Sequence, residues 1–357
     1  MDSKVLYIWL SKIKGIGPVL ASKIIEYFGR IDFVYKATYD ELIKINGIGP
    51  KVSKVIVENK SLDESKKIYE KCKRLNIEVI TKESSNYPMQ LRSNIKAPLV
   101  LYVRGNLKNF DNAISIVGSR RCTEYGKNIT IELATALSEE NIPIVSGMAK
   151  GIDSYAHTVA LHNNNYTIAI LGTGVDKCYP SEHLSLMNKI IEDGVIISQF
   201  EPGTSNIRSN FIKRNELIAM LAEKIIIVQA TKNSGAIYTA HCGIEYKKEV
   251  YSVPGNINSK YSEGTNMLIS EGVKPYLSIR TIINEELKVC SNKGYINEKL
   301  NSIEKQILKL ISKNKMSVDQ LKIKLKLENY NLEELLFDME VKGQIKQVAG
   351  YIKPGNF

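Results

Sequence analysis

The sequence lacks most features that assign a chain to a membrane, secreted or metal-binding class. No apolar stretch approaches the roughly 18 residues that a membrane helix needs, so we expect no membrane partner. The apolar run at residues 5–10 is too short for the core of a signal peptide. The five cysteines are odd in number and scattered, and none forms a Cys-x-x-Cys pair. We therefore expect a cytoplasmic protein without a disulfide framework or a metal site.

Motifs for common cofactor and catalytic chemistries are also missing. The dinucleotide motif Gly-x-Gly-x-x-Gly does not follow the first core strand, and the nucleophile motif Gly-x-Ser-x-Gly is absent. Gly126-Lys127 is followed by Asn128, which excludes a phosphate-binding loop of the ATPase type. The acidic candidates lie on different predicted loops and form no evident acid–base pair: Asp153, Asp176, Glu182 and Glu201. These absences predict no cofactor and no catalytic residue.

What the chain does contain is enough apolar sequence for two or three folded domains. It has 357 residues, of which 43% are hydrophobic and 24% charged, as in ordinary globular proteins. Its 49 lysines and arginines outnumber its 38 acidic residues, which gives a net charge of +11. An excess of positive charge favours a polyanionic partner such as nucleic acid.

Residues 1–64 contain an internal repeat. The segment Ile-Lys-Gly-Ile-Gly-Pro at 13–18 returns as Ile-Asn-Gly-Ile-Gly-Pro at 45–50, and an amphipathic helical pattern follows each copy. Each copy predicts a helix, a tight glycine turn and a second helix with proline in its first turn. The turn resembles the helix-hairpin-helix motif, whose backbone amides approach a DNA phosphate. A small helical bundle that only packs or contacts proteins is the alternative, and both interpretations stay open.

Residues 65–285 are predicted to form the core of the protein, with 65–110 as a connector that contains short strands. Beyond the connector, apolar strands alternate with amphipathic helices, which indicates an α/β fold with a Rossmann-like, doubly wound parallel sheet. Several strands are continuous apolar runs, as expected when helices cover both faces of the sheet. The predicted strands are 113–117, 143–146, 167–171, 195–198, 225–229 and 250–253.

The remainder is predicted to be a polar linker at 286–299 and a winged-helix domain at 300–357. Three apolar-periodic helices followed by two short strands around Gly350 match that arrangement, and Ser317-x-x-Gln320 predicts a capping box. The third helix carries five acids and no lysine or arginine: Glu328, Glu333, Glu334, Asp338 and Glu340. Phosphates should repel such a helix, so we expect this domain to contact protein rather than DNA.

In the core, glycine-rich loops follow the predicted strands at the edge where open α/β sheets bind ligands. They include Gly118-Ser119-Arg120-Arg121, Ser146-Gly147 and Ser234-Gly235-Ala236, which should converge on one anion pocket. The stretch 208–215 places three cations and one aromatic residue before a helix, a combination suited to single-stranded nucleic acid. An equal alternative is that Phe211 only packs against the helix start.

Several ordered motifs between residues 80 and 280 resemble the DNA-processing protein A (DprA, also called Smf) family. They are Ile-Val-Gly-Ser-Arg-Arg at 116–121, Val-Ser-Gly-Met-Ala-Lys-Gly-Ile-Asp at 145–153, Leu-Gly-Thr-Gly at 171–174 with Tyr179-Pro180, Asn210-Phe211 with Arg214-Asn215, Ser234-Gly235 with Thr239-Ala240, and Val253-Pro254-Gly255. The resemblance implies a non-enzymatic protein that protects single-stranded DNA, dimerises through its core and helps load the RecA recombinase in natural transformation.

The resemblance and the strand-end argument give one set of candidate DNA-binding residues. The set is Gly118, Ser119, Arg120, Arg121, Ser146, Gly147, Arg208, Phe211, Lys213, Arg214, Asn215, Ser234, Gly235 and Ala236. The chain departs from the family at Glu216, where an arginine is usual, and at Gln199 and Gln229, where glutamates are common.

The alternative function is a Rossmann-like enzyme that processes nucleotides, similar to the phosphoribohydrolases. Those enzymes have a catalytic glutamate in a glycine-rich turn. The comparable turn here, residues 234–240, has no glutamate before Glu245, which disfavours this alternative.

Overall fold

The computed structural model describes residues 2–282, 302–312, 315–325, 332–348 and 350–355, and the chain divides into two compact units, Met1–Ile279 and Arg280–Phe357. The predicted linker at 286–299 lies outside the described residues. The part of the chain that is described contains no helix long and apolar enough to cross a membrane.

The first unit begins with a run of helices that includes those predicted on either side of each glycine turn. They are α1 (Ser3–Lys12), α2 (Pro18–Phe28), α3 (Ile31–Lys36), α4 (Tyr39–Leu42), α5 (Pro50–Glu58) and α6 (Asp63–Arg74). The two glycine turns are nearly identical, because Gly15 and Gly47 have φ angles of +88° and +87°. In both copies proline is the first residue of the following helix, so the repeat prediction is confirmed.

The rest of this unit is a nine-stranded sheet with helices between the strands. Its strands are β1 (Glu78–Thr81), β2 (Val100–Gly105), β3 (Ile114–Val117), β4 (Ile144–Ser146), β5 (Thr167–Ile170), β6 (Val195–Ser198), β7 (Lys224–Ile227), β8 (Glu249–Ser252) and β9 (Lys274–Pro275). The helices are α7 (Met89–Arg92), α8 (Glu124–Glu139), α9 (Ile152–His162), α10 (Leu184–Asp193), α11 (Arg208–Leu221), α12 (Gly235–Glu245) and α13 (Glu263–Ser270), with short 3₁₀ turns at Ser181–His183 and Ile279–Thr281.

The strand order is β1-β2-β6-β5-β4-β3-β7-β8-β9. All six predicted core strands are present, and β3 to β9 pair in parallel wherever they are neighbours. The predicted parallel sheet is confirmed for β3 to β9, and the connector strands add an edge at which β2 runs antiparallel to both β1 and β6. The connector therefore extends the sheet, and its short strands, which do not alternate with long helices, carry no pattern that indicates their direction.

Alternate residues of β2 enter two different hydrophobic clusters of the first unit. Tyr102 belongs to the cluster that contains the N-terminal helices, whereas Leu101 and Val103 belong to the other. The first cluster, called here the shared core, also includes Leu171 and Ile196 of the sheet region. The helices α1 to α6 thus lie in the same compact unit as the sheet, and the predicted boundary at residue 64 falls inside that unit.

The second unit has its own apolar core. It consists of α14 (Ser302–Ile311), β10 (Met316–Ser317), α15 (Val318–Leu325), α16 (Leu332–Val341), β11 (Ile345–Val348) and β12 (Tyr351–Pro354), with sheet order β10-β12-β11. The predicted capping box is present, since the Gln320 amide donates to Ser317 Oγ at 3.3 Å and the Ser317 amide donates to Gln320 Oε1 at 3.0 Å.

Acids of the predicted third helix, α16, have partners within the second unit. Glu340 is buried and accepts a hydrogen bond from the Gln347 amide at 2.8 Å. Glu333 lies 3.1 Å from Lys322 Nζ, and Glu328 lies outside the described residues. Glu333 and Glu340 are therefore engaged within the unit itself.

Candidate nucleic-acid interface

The glycine-rich loops meet at the carboxyl edge of the sheet, beside its central strand. β3 pairs with β4 on one side and with β7 on the other, so the strand order reverses there. Parallel sheets bind ligands in the crevice outside such a reversal, because the two flanking loops diverge. The loops after β3, β4 and β5 form one side of this crevice.

The loop after β3 presents two arginines on a closely packed backbone. A Cβ atom added at Gly118 would lie 2.7 Å from Ile152 Cγ1, so a larger residue would push this loop away from α9. Ser119 Oγ accepts a hydrogen bond from the Arg121 amide at 3.1 Å and donates to the Arg121 carbonyl at 3.0 Å. This local turn leaves the side chains of Arg120 and Arg121 exposed.

Phe211 is the fourth residue of α11 and lies at the centre of the site, against Gly172. A Cβ at Gly172 would be 2.7 Å from Phe211 Cδ1, so glycine is needed for the ring to seat there. The Tyr179 ring lies 5.3 Å from the Phe211 ring at an interplanar angle of 49°. The guanidinium groups of Arg120 and Arg214 lie 5.7 and 5.6 Å from the Phe211 ring centre, within cation–π range.

These side chains line one open pocket with an empty volume of about 320 Å³, including its mouth. It is lined by Arg120, Gly147, Ala149, Lys150, Tyr179, Pro180, Phe211 and Arg214. Four of these residues, Ala149, Lys150, Tyr179 and Pro180, were not among the predicted site residues. The Tyr179-Pro180 pair was recognised as part of a motif, and only the fold shows that its ring approaches Phe211.

Arg214 is buried, in contrast to the exposed DNA-binding cation that was predicted. It is 4% exposed, and its Nη1 donates to the Ile170 carbonyl at 2.7 Å and to the Gly147 carbonyl. A Cβ at Gly147 would be 2.5 Å from Arg214 Nη1, so the two residues fit only with glycine at 147. The spacing Asn210, Arg214, Leu217, Ile218, Leu221 along α11 carries this signal, because it is the i, i+4, i+7 pattern of a buried face.

Burial lowers the pKa of Arg214 to about 10, and attraction to Asp153 opposes the shift. Burial raises the pKa of Asp153, against the attraction of Arg214 and hydrogen bonds from the amides of Ala149, Gly147 and Gly118. The Gly147 amide donates to Asp153 Oδ2 at 3.2 Å. Arg214 and Asp153 therefore fix the floor of the pocket from opposite sides of Gly147.

The four acidic candidates all lie near positive charges, which gives each a structural partner. The pairs are Asp153 with Arg214, Asp176 with Lys71, Glu182 with Lys150, and Glu201 with Lys12. Nowhere in the described ranges do three or more potential metal ligands cluster.

The remaining predicted residues divide between surface and interior. Arg208 and Lys213 are exposed on α11, but at 100° per residue they lie about 140° apart around the helix, so only Arg208 lies on the Phe211 side. Ser146 is fully buried and donates to the Ile116 carbonyl at 2.6 Å, which corrects its prediction as a DNA contact.

The loop before α12 is tied to α11 by Asn215. Asn215 Nδ2 donates to the Gly235 carbonyl at 3.0 Å, and its Oδ1 accepts from Arg214 Nε at 3.0 Å. Ser234 Oγ is buried without a hydrogen-bond partner among the residues that the structure describes, and Ala236 is 8% exposed. Asn215 is therefore occupied in joining the two helices.

Two departures from the family pattern have local partners. The Thr123 amide donates to Gln229 Oε1 at 2.9 Å, and Gln229 Nε2 donates to Thr123 Oγ1 at 2.9 Å, so Gln229 holds the start of α8. The Tyr238 hydroxyl donates to Glu216, which turns that carboxylate toward α12. Both residues stabilise helix packing.

Comparison with family models gives two matches. Residues 78–287 match the model of DNA recombination-mediator protein A, and residues 8–67 match a helix-hairpin-helix motif. The first match covers the sheet, and the second covers the repeated glycine turns.

Individual relatives agree with these matches. Protein Smf of Synechocystis is 31% identical over 277 residues, which is 76% of this chain and 70% of that protein. The DNA processing protein DprA of Streptococcus pneumoniae is 36% identical over 200 residues, which is 56% of this chain and 71% of that protein.

Two solved structures are similar in fold. The X-ray structure of DprA from Streptococcus pneumoniae has a TM-score of 0.69 at 29% identity and covers 81% of this chain and 99% of its own. A structure of DNA processing protein A from Helicobacter pylori, described for its single-stranded DNA binding mode, has a TM-score of 0.53 at 31% identity and covers 58% of this chain and 94% of its own.

Proposed function

Because this chain belongs to the DNA recombination-mediator protein A family, we propose that it binds single-stranded DNA in the pocket around Phe211 and helps to load the RecA recombinase onto that strand. The chain is a DNA-processing recombination mediator rather than an enzyme. Protection of incoming DNA in natural transformation, in the cytoplasm, is the role that we propose for it.

The observation that carries this proposal is the aromatic ring of Phe211 beside two arginines at the carboxyl edge of the sheet. Every nucleobase has a face that can stack on an aromatic ring, and exposed cations can follow the phosphates without reading sequence. In duplex DNA the bases are already paired and stacked, so a ring of this kind favours a single strand.

We propose different roles for the predicted site residues according to their exposure. Arg120, Arg121 and Arg208 contact phosphates, and Phe211 stacks on a base. Gly118, Ser119, Gly147, Ser234, Gly235 and Ala236 give the strand close access to the backbone. Lys213 contributes positive charge from the neighbouring helix face, while Ser146, Arg214 and Asn215 support the pocket from within.

Two further features of the proposal concern the assembly. We propose that the chain forms a homodimer through its Rossmann-like core, and that the C-terminal unit is a winged helix that contacts protein. The domain limits that go with this proposal are 1–64, 65–285 and 300–357. The similarity to the Streptococcus pneumoniae structure over 81% of the chain supports a shared architecture.

The test is fluorescence anisotropy of labelled oligo-dT and of a duplex of the same length, each titrated at two salt concentrations. We expect tight binding to the single strand that weakens steeply with salt, and much weaker binding to the duplex. Phe211→Leu keeps an apolar side chain but removes the stacking face, and should cost about 1–3 kcal/mol of binding free energy. Absence of oligo-dT binding by the unmodified protein would refute the proposal.

A further inference from the structure

The N-terminal helices are fixed against the loops that lead to the DNA site. Trp9 of α1 and Cys72 of α6 belong to the shared core, together with Leu171 and Val175, which follow β5. Cys72 is fully buried, and interiors packed to this degree transmit displacements between the elements that share them. The position of α1 and α6 is therefore coupled to the carboxyl edge of the sheet.

Two lysines from these helices reach the segment between β6 and α11, called here loop 199–207. Lys71 Nζ donates to the Pro202 carbonyl at 2.9 Å and lies 3.7 Å from Asp176 Oδ2. Lys12 Nζ lies 2.9 Å from Glu201 Oε2 and 2.9 Å from Glu64 Oε1. Both ammonium groups thus join the N-terminal helices to the first half of the loop.

The same half of the loop is held from its other side by the loop after β5. Asp176 Oδ1 accepts a hydrogen bond from the Gly203 amide at 2.7 Å, and the Gly174 amide donates to the Thr204 carbonyl at 3.1 Å. A Cβ at Gly203, where φ is +95°, would lie 2.6 Å from Lys71 Nζ. Lys71 therefore contacts a segment that is already held by hydrogen bonds to Asp176 and Gly174.

Only residues 205–207 separate this held segment from Arg208, the first residue of α11. Within the described part of the chain, no side chain caps the start of α11. Arg208 adds a positive charge where the helix dipole favours a negative one. Asn210 and Phe211 hold the inner face of the first turn by packing, whereas Arg208 is exposed and its position depends on the loop before it.

We propose that Lys71, together with Lys12, positions loop 199–207 and so the first turn of α11, which makes the N-terminal helices a determinant of single-stranded DNA affinity. The inference rests on the proposed function of the Phe211 pocket. Lys71 is not among the residues that line this pocket, so it acts through Arg208 and Phe211 as a positioning residue.

The test compares Lys71→Met with Lys73→Met in the full-length protein. Both substitutions remove one positive charge from α6, but Lys73 is paired within that helix to Glu70. Lys71→Met should raise the Kd for oligo-dT about 5- to 10-fold, and Lys73→Met should change it by less than about 2-fold. Lys71→Arg, which keeps the cation, should restore most of the affinity.

The salt dependence separates positioning from direct contact. A lysine that touches a phosphate of a single strand contributes about 0.7 to the slope of log K against log salt. For Lys71→Met, the slope of log K against log salt should equal that of the unmodified protein. The Gly203 and Thr204 amides of this variant should exchange hydrogen faster than those of the unmodified protein. A slope reduced by about 0.7 would make Lys71 a phosphate ligand and would overturn the inference.

A second variant keeps the test decisive if Lys71→Met does not fold. Glu201→Gln removes the charge that faces Lys12 at a site where both side chains are about one-third exposed, and should raise the Kd in the same direction. Unchanged affinity in either folded variant would overturn the inference. If the unmodified protein binds no oligo-dT, the proposed function fails instead, and the exchange rates still report whether Lys71 holds the loop.

Discussion

Arg214 and Asp153 form a buried pair of opposite charges that depends on a glycine between them. Arg214 donates to carbonyl groups at the ends of two strands, and Asp153 accepts from the Gly147 amide in the adjoining loop. Removing one partner of a buried pair leaves the other charge without compensation, which costs more than the pair itself contributes. Substitutions in the buried floor of the pocket should therefore destabilise the protein more than substitutions at its exposed rim.

The first prediction follows from this pair and concerns pH. Arg214→Gln should lower the free energy of unfolding by about 3–5 kcal/mol at pH 8, because Asp153 remains buried and charged. Burial already raises the pKa of Asp153 above its ordinary 3.8, and loss of Arg214 raises it further. The folded variant then binds more protons than the unfolded chain, so its stability should increase as the pH falls toward that ordinary value.

Urea unfolding at pH 8 and pH 5 measures this effect. The matched control is Lys213→Gln, which removes the neighbouring exposed cation and should change stability by less than about 0.5 kcal/mol at either pH. If Arg214→Gln lowers the free energy of unfolding by the same amount at both pH values, the role given to Asp153 is contradicted.

A second residue-scale prediction concerns Arg120. Arg120→Ala should weaken binding to all single-stranded sequences alike and reduce the salt slope by about 0.7, because it removes one phosphate contact. Anisotropy with oligo-dT and a mixed-sequence strand provides the measurement, with Lys67→Ala on the exposed side of α6 as the control. Unchanged affinity in Arg120→Ala would remove this arginine from the proposed site.

The sequence placed Arg120 at the sheet edge, because glycine loops after apolar strands converge there in any parallel sheet. It placed Phe211 before a helix, whereas Phe211 lies within α11. It did not separate Arg208 from Arg214, since both are cations in one stretch. Only the buried pattern of α11 distinguishes them, and that pattern is hidden when the polar Asn210 and Arg214 occupy it. Tyr179 was missed because its approach to Phe211 is set by a loop, which has no periodicity to interpret.

At the scale of elements, the repeated glycine turns provide a matched comparison within one motif. Gly15 has a φ angle of +88° with no atom near its missing Cβ, whereas Gly17 caps α2 at a φ of −86° in similarly open space. The two glycines therefore differ in backbone conformation and not in crowding. Only the first needs glycine.

We accordingly predict that Gly15→Ala lowers the free energy of unfolding by about 1–2 kcal/mol. Gly17→Ala should change it by less than about 0.5 kcal/mol, because the poorer N-cap preference of alanine is offset by its smaller conformational freedom in the unfolded chain. Thermal or urea unfolding of the two variants measures the difference. Equal effects would contradict the conformational explanation.

The six core strands were the most predictable elements, whereas the direction of the connector strand β2 was not predicted. Each of β3 to β8 is a short apolar run between glycine or polar residues, and burial on both faces demands that pattern. The orientation of β2 depends on how residues 82–99 turn the chain back from β1 and on pairing with β6, which is distant in sequence. Fold class was therefore available from local pattern, while the mixed edge was not.

At the scale of the whole molecule, we predict that the C-terminal unit contributes little to single-stranded DNA affinity. Truncation after residue 285 should leave the Kd for oligo-dT within about 2-fold, because α16 carries four acids and no lysine or arginine, and negative charge repels phosphates. Anisotropy of the truncated and full-length proteins at one salt concentration decides this. A loss of more than about tenfold would assign DNA contacts to the C-terminal unit.

The shared core also limits how this protein can be recombined with its relatives. Its helix-hairpin-helix segment resembles an exchangeable module, yet Tyr102, Leu171 and Ile196 of the sheet region are packed in the same cluster as Trp9 and Cys72. A chimera that received this segment from a distant relative would have to receive matching side chains on that sheet face as well. The N-terminal helices and the sheet face that they contact should therefore be inherited together, and a substitution in one should be accompanied by a matching substitution in the other.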